Sequence, residues 1–300
     1  MNIVPQNQPH SELLCSKTSN FLHEFHASRI LKACNAYKTK GVPVRDVLQV
    51  AVENGFRNRS FYQNLKESST IPFAKDTFYR FMYSSNINWR KFTLQLGAGV
   101  IRTIEPLTGN DRRNVLIVDD SLFSRARSKR VELLARVYDH VTHKFTKGFR
   151  MLTLGWSDGN TFMPLDHCLL SSAHRENRLQ EASDKVDARS NGSKQRKLAQ
   201  TKAPDVVQTM LKDAKSAQIP AQYVLFDTWF CSPTSLIETK SIGYDVIAMV
   251  KKADTIHFRY NGTMQSAQAI FRTSKKRRGA SKYLLSVEAE AGSQFWRNVL

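Results

Sequence analysis

The sequence predicts an α/β protein, a mixed sheet carrying a β-rich insertion and preceded by a small all-α domain. Three observations carry this. Two short apolar runs, Val115 to Val118 and Tyr223 to Phe226, each lead directly to aspartate, Asp119-Asp120 in the first case and Asp227 in the second. β-Branched and aromatic runs of that length fit buried strands, and an acid at the end of one is costly unless it has work. Before Leu107 the apolar residues recur at helical spacing, and after it at strand spacing. Beyond Lys251 the texture changes again, to short alternating segments around an Asn261-Gly262 turn.

Three hundred residues suffice for one large domain and a smaller one, and 41% hydrophobic with 24% charged residues is ordinary for a globular chain. The charge is not ordinary: 45 Lys+Arg against 26 Asp+Glu gives +19. Such an excess points to a polyanionic partner, nucleic acid first and a membrane surface second, although basic charge also aids solubility alone. No apolar run approaches the ~18 residues of a membrane span, and Met1 to His10 lacks a signal-peptide pattern, so a cytoplasmic protein is expected. Cys15, Cys34, Cys168 and Cys231 are far apart with no CxxC, which predicts free thiols. The pairs His23/His26 and His140/His143 have no matching cysteine pair, so no zinc site is expected.

In chain order, residues 1–18 are polar with two prolines and read as a flexible tail. Residues 19–106 form the helical domain: Phe21, Leu22, Phe25, Ile30 and Leu31 line one face, Val42-Pro43-Val44 opens a second helix that Gly55 ends, and further helices fall at 60–65, 75–83 and 89–96. Lys75-Asp-Thr-Phe-Tyr-Arg-Phe81 has helix-turn-helix character, with Lys75, Thr77, Tyr79 and Arg80 as its phosphate or base contacts; a bundle that only packs on a neighbour is the plain alternative. Leu107 to Arg113 is the boundary, and residues 112–300 form the second domain.

After the strand ending at Asp120 comes a polar stretch, then a helical segment through Val131, Leu134, Val137, Tyr138 and Val141. Phe149 to Trp156 and Thr161 to Leu170 are paired strands around the Asp158-Gly159 turn. Between Arg189 and Lys202 lie five basic residues and no acid, Arg196 and Lys197 among them. Ser, Gly and Asn at 190–193 suggest a mobile loop, either a solvated linker or a segment that tracks a DNA backbone. Pro204 opens a helix to Ala217, Thr234 to Lys240 is another, and Tyr244 to Val250 reads as a strand covered on both faces. From about residue 251 the insertion follows, with His257 to Tyr260, Ser266 to Phe271 and Lys282 to Glu290 as short strands. Between Lys251 and Lys282 nine basic residues face one acid, and Lys275, Lys276, Arg277 and Arg278 are its densest run, either a solvated hairpin tip or a phosphate contact. Neither GxGxxG nor GxxxxGK[ST] occurs, which argues against an ATP-driven enzyme.

Strand, two antiparallel strands, helix, strand, helix, strand is the order of the ribonuclease H-like fold. There the first and fourth strands are parallel neighbours, and aspartates at their ends come within reach of shared hard cations. Val118-Asp-Asp-Ser-Leu-Phe-Ser-Arg125, Gly148 to Asn160, Leu169-Leu-Ser-Ser172 and Phe226-Asp-Thr-Trp-Phe230 resemble DDE transposases of bacterial insertion sequences, the group with a β-strand insertion in the ribonuclease H-like domain. Lys75 to Arg80 and Asn88-Trp-Arg90 resemble the same proteins' N-terminal region. The resemblance implies Asp120 and Asp227 as catalytic, metal-binding acids with Mg²⁺ or Mn²⁺. Asp119 is the adjacent candidate, since successive strand residues face opposite ways. It also implies double-stranded DNA as partner (transposon ends and target), a homodimer on DNA, and a bacterial cytoplasm with nucleoid association.

A third acid is implied as well, a glutamate on a helix within a Tyr…Arg…Glu…Lys pattern. No such helix is legible here; Glu288 and Glu290 are the late glutamates and sit in an alternating strand pattern. The expectation is therefore a transposase truncated before its last catalytic segment. The alternatives are a non-catalytic DNA-binding remnant and a ribonuclease H-like nuclease unrelated to mobility.

Overall fold

The computed structural model describes residues 8–67, 71–109, 111–250, 256–276, 285–291 and 296–299. Two compact units divide the chain: Met1–Leu107 with Glu181–Leu198, and Thr108–Gln180 with Ala199–Leu300.

The first unit is helical: α1 (Gln8–Glu24), α2 (Ala27–Ala33), α3 (Val44–Phe56), α4 (Phe61–Glu67), α5 (Lys75–Met82) and α6 (Trp89–Ile104). Their apolar faces meet in a core of Leu22, Leu31, Val47, Leu48, Phe61, Phe73, Phe78, Phe81 and Phe92. The helix α1 starts at Gln8, so residues 8–18 are helical where the sequence suggests a tail. Tertiary contact outweighs weak periodicity there: α1 packs on α3, and Gln49 Nε2 donates to the Cys15 carbonyl at 3.3 Å. Asn88 caps α6, its Oδ1 accepting from the Lys91 N–H at 3.0 Å.

The supposed mobile loop is a helix, α7 (Asn191–Leu198), docked on this unit. Gly192 N–H donates to the Ser85 carbonyl at 2.7 Å and Asn191 Nδ2 to that of Asn86 at 2.7 Å. A Cβ on Gly192 would lie 2.8 Å from Ser85 Cβ, so the glycine permits this approach.

The second unit is built on a mixed sheet of β1 (Val115–Ser124), β2 (Ala135–Asp139), β3 (Lys144–Ser157), β4 (Phe162–Leu170), β5 (Tyr223–Phe226) and β6 (Asp245–Ala248). The spatial order is β2-β3-β1-β5-β6, with β4 also on β3. The first strand runs antiparallel to β3 and parallel to β5, and β6 is parallel to β5. This is the ribonuclease H-like arrangement, extended by β2. Two helices complete it, α8 (Ala203–Ser216), packed on β3 and β4, and α9 (Pro233–Ile242), packed on α8. Leu116, Val118, Leu152, Leu154, Trp156, Val224 and Phe226 of the sheet are buried, as are Val206, Val207, Met210 and Leu211 of α8. Trp156 is fully buried, and its indole N–H donates to the Pro220 carbonyl at 2.8 Å.

Three local expectations are corrected in this unit. Val131 to Val141 is not helical: Leu133 and His143 take positive φ (57° and 55°), and Ala135 and Val137 face inward at strand spacing in β2. The spacing of Leu134, Val137, Tyr138 and Val141 is that of a helix face, and pairing of Ala135–Asp139 with β3 overrides it. The sixth strand is not covered on both faces. It is the sheet edge, and Ile247 is 54% exposed. In the insertion, β7 (His257–Tyr260), β8 (Thr263–Ser266), β9 (Val287–Glu290) and β10 (Trp296–Val299) form a second sheet of order β10-β9-β7-β8. Ala267–Thr273 is a helix, α10, rather than a strand, because Ser266 caps it by accepting from the Ala269 N–H at 3.3 Å. Among the described residues no helix is long and apolar enough to cross a membrane.

Candidate functional site

The first strand does not stop on its aspartates. It runs on through Asp119 and Asp120 to Ser124, which puts both acids within the sheet. Alternation sets Asp120 on the face of Leu116 and Val118, and Asp119 on the opposite, exposed face. Asp120 lies opposite Leu152 of β3, with only 12% of its side chain exposed. A carboxylate that desolvated needs a partner. Arg150, two residues before Leu152 on the same strand face, directs Nε and Nη2 at Asp120 Oδ2 and Nη1 at the Tyr138 carbonyl of β2, 3.3 Å away. Sequence reasoning missed Arg150. Its signal was available: it is the only charge between Phe149 and Trp156.

Asp227 follows β5 by one residue and is exposed. Its Oδ1 accepts from the Trp229 N–H at 2.9 Å, a turn that fixes how the chain leaves the strand. In the parallel ladder the last pair is Val118 with Phe226. Asp119 is therefore level with Asp227, and Asp120 stands one residue further along β1. Sheet topology thus brings the Asp119-Asp120 pair and Asp227 to one strand end.

That end is flanked by aromatic rings. Trp229 is 59% exposed, with its ring 6.1 Å from His140 at the β2–β3 turn. Tyr138 touches His140 (5.1 Å) and Phe145 (5.2 Å). Asp139 shapes the turn: its carboxylate accepts from Thr142 Oγ1 and the Val141 N–H, which hold it below the usual carboxylate range.

The donors fit a hard divalent cation in kind. Mg²⁺ is commonly held by one or two carboxylates together with substrate phosphate. Among the described residues no group of three or more His, Cys, Asp or Glu side chains gathers in metal-binding geometry. Glu288 and Glu290 lie on β9 of the second sheet, and Glu290 faces Arg259 at 3.9 Å.

The predicted phosphate contacts are distributed. Lys75 and Arg80 are exposed on α5, and Arg80 Nε donates to the Asp76 carbonyl at 3.2 Å. Arg196 and Lys197 are on α7, where Arg196 Nη1 donates to the Gly192 carbonyl at 3.1 Å. Lys275 and Lys276 follow α10, with Lys276 over the Phe271 ring at 4.7 Å. Arg277 and Arg278 lie outside the described residues.

One further charged site is structural. Asp158, in the β3–β4 turn, is 2% exposed and accepts from the Thr161 N–H (2.7 Å), the Asn160 N–H (3.0 Å) and Arg112 Nη1 (2.6 Å). These bonds, the Thr161 N–H foremost, outweigh burial and lower its pKa to about 2.

Comparison with known proteins gives one family. The DDE superfamily endonucleases match over residues 45–299. No curated protein matches the sequence. Among solved structures, the Drosophila P element transposase strand transfer complex is similar at 10% identity and a TM-score of 0.30, over 86% of this chain. The chain spans 55% of that transposase chain.

Proposed function

Because the chain belongs to the DDE superfamily endonucleases, we propose that it cuts and joins DNA at the ends of an insertion sequence by metal-dependent phosphoryl transfer. The observation that carries this reading is the parallel pairing of β1 with β5, which ends at Val118 and Phe226 and leaves the acids Asp119, Asp120 and Asp227 at one strand end. Asp120 and Asp227 are the residues that would hold Mg²⁺ or Mn²⁺, and Asp119 is the neighbouring candidate. A cation bound there supplies Lewis-acid stabilisation of charge on the phosphodiester. Arg150 holds the Asp120 carboxylate in place through its guanidinium. The net charge of +19 supports duplex DNA, both element ends and target, as the partner; a homodimer on the DNA is part of the same proposal.

The test is incubation of the full chain with duplex carrying the element's ends and Mn²⁺ or Mg²⁺. Asp120→Ala and Asp227→Ala each lose about 10³-fold or more of the cleavage rate, given the several kcal/mol a metal contributes. Both also weaken Mn²⁺ binding measured by calorimetry. Cleavage that persists in Asp120→Ala sinks the assignment, and loss in Asp119→Ala instead moves it by one residue. A second reading, a DNA-binding protein without catalysis, is favoured by the finding that, among the described residues, no three His, Cys, Asp or Glu side chains gather to hold a metal. It predicts salt-sensitive binding of the ends and no cleavage by the unaltered chain.

A further inference from the structure

The helical unit carries a surface whose chemistry differs from that of a phosphate contact. Phe61 and Phe78 stack in its core at 3.9 Å and 2°, and Phe73 continues the stack at 6.0 Å and 6°. Tyr79 stands edge-on to both Phe61 (5.9 Å) and Phe78 (5.7 Å), each at 89°. One turn later Tyr83, the residue that caps α5, stacks on Tyr79 at 5.7 Å and 18°, and is 78% exposed. A column of rings therefore runs from the core to solvent and ends on an open tyrosine face. Cations flank it. Lys75 Nζ lies 6.0 Å from the Tyr79 ring and 5.9 Å from that of Tyr62, and Lys66 Nζ is 4.9 Å from Tyr62, which is 51% exposed. Lys75, Tyr79 and Tyr83 follow at four-residue steps, so they share one helix face.

We propose that this face binds unpaired bases of single-stranded nucleic acid, with Tyr83 as the stacking platform and Lys66 and Lys75 neutralising adjacent phosphates. The proposal deepens the nucleic-acid reading above and rests on it. A duplex hides its base faces inside its own stack, so it would engage the lysines alone. An unpaired base has a free π-face, and stacking on an aromatic side chain is tolerant of sequence. Tyr83 is already stacked on Tyr79, which reduces the side-chain freedom to be lost on binding. The positive charge beside the rings suits a polyanion and disfavours a basic or apolar peptide on the same face.

The experiment is fluorescence anisotropy on the full chain with a labelled oligothymidine of about 20 nucleotides and a duplex of the same length, long enough for a single-strand site. Tyr83→Leu, which keeps apolar bulk and removes the π-face, weakens single-strand binding about tenfold and leaves duplex binding within about twofold. Tyr83→Phe binds both like the unaltered chain. Lys66→Gln with Lys75→Gln weakens both and reduces the salt slope. Absence of single-strand binding, a silent Tyr83→Leu, or equal losses on strand and duplex overturns the proposal. End cleavage reports separately: if Asp120→Ala abolishes cleavage while Tyr83→Leu is silent on single strands, the transposase reading stands and the platform falls.

Discussion

Replacing Asp158 by asparagine removes one charge from a buried turn and leaves its shape nearly unchanged. The carboxylate there accepts from Thr161 N–H, Asn160 N–H and Arg112 Nη1, and its pKa is about 2 against an ordinary 3.8. A difference of about 1.8 units at about 1.36 kcal/mol each makes the ionised form worth about 2 kcal/mol to the folded state. In Asp158→Asn the side-chain oxygen still accepts from the turn, but an amide N–H₂ faces Arg112, a donor against a donor. Because the folded pKa lies below the unfolded one, the contribution is fully present above about pH 4 and fades as pH falls through about 2. Urea unfolding of the unaltered chain and the variant, followed by circular dichroism, is expected to differ by about 2 kcal/mol at pH 7 and to converge towards pH 2. A difference that stays constant from pH 7 to pH 2.5, or one below about 0.5 kcal/mol at pH 7, refutes the reasoning.

Gly155→Ala would set a Cβ 2.3 Å from the Phe162 ring, at the bulge between β3 and β4, and is expected to cost about 1–3 kcal/mol; Phe162→Ala in the same chain relieves the clash, which a pair of thermal melts checks. Asn88→Ala removes the α6 cap and about 1 kcal/mol of stability, read as a lower midpoint in urea, whereas Asn88→Asp retains it. Arg150→Met leaves the Asp120 carboxylate without its compensating charge, so Tm falls, and Mn²⁺ recovers more of that loss than it adds to the unaltered chain. If 6–10 phosphates are contacted, DNA affinity drops about 10³–10⁵-fold between about 50 and 200 mM salt, which anisotropy titrations measure.

The runs at Val115 and Tyr223 were legible as neighbouring strands because apolar continuity between turn residues leaves few alternatives. Where a segment's conformation is chosen by a remote partner, the sequence was ambiguous. Val137 and Tyr138 could sit on a helix or a strand, and the pairing of β2 with β3 selects the strand. Asn191-Gly192 carries loop composition, yet the carbonyls of Ser85 and Asn86 hold it as the start of a helix. The Arg150 pairing with Asp120 follows from β1–β3 register, which neither strand encodes alone. The site was therefore half visible: the acids announced themselves by their cost at the end of an apolar run, and the guanidinium that compensates one of them did not.

The grouping of Glu181–Leu198 with the N-terminal helices makes the helical unit discontinuous in the chain. As the polypeptide is synthesised, α1 to α6 emerge first, but the helix that bonds the Ser85 and Asn86 carbonyls arrives only after β1 to β4 have been made. The helical unit can therefore be completed only after β1 to β4 have been synthesised. Cutting at the apparent boundary near residue 107 would yield a fragment without its last helix. Any exchange of this unit between relatives that share the grouping would have to move two segments together, the leading helices and the short return that completes them.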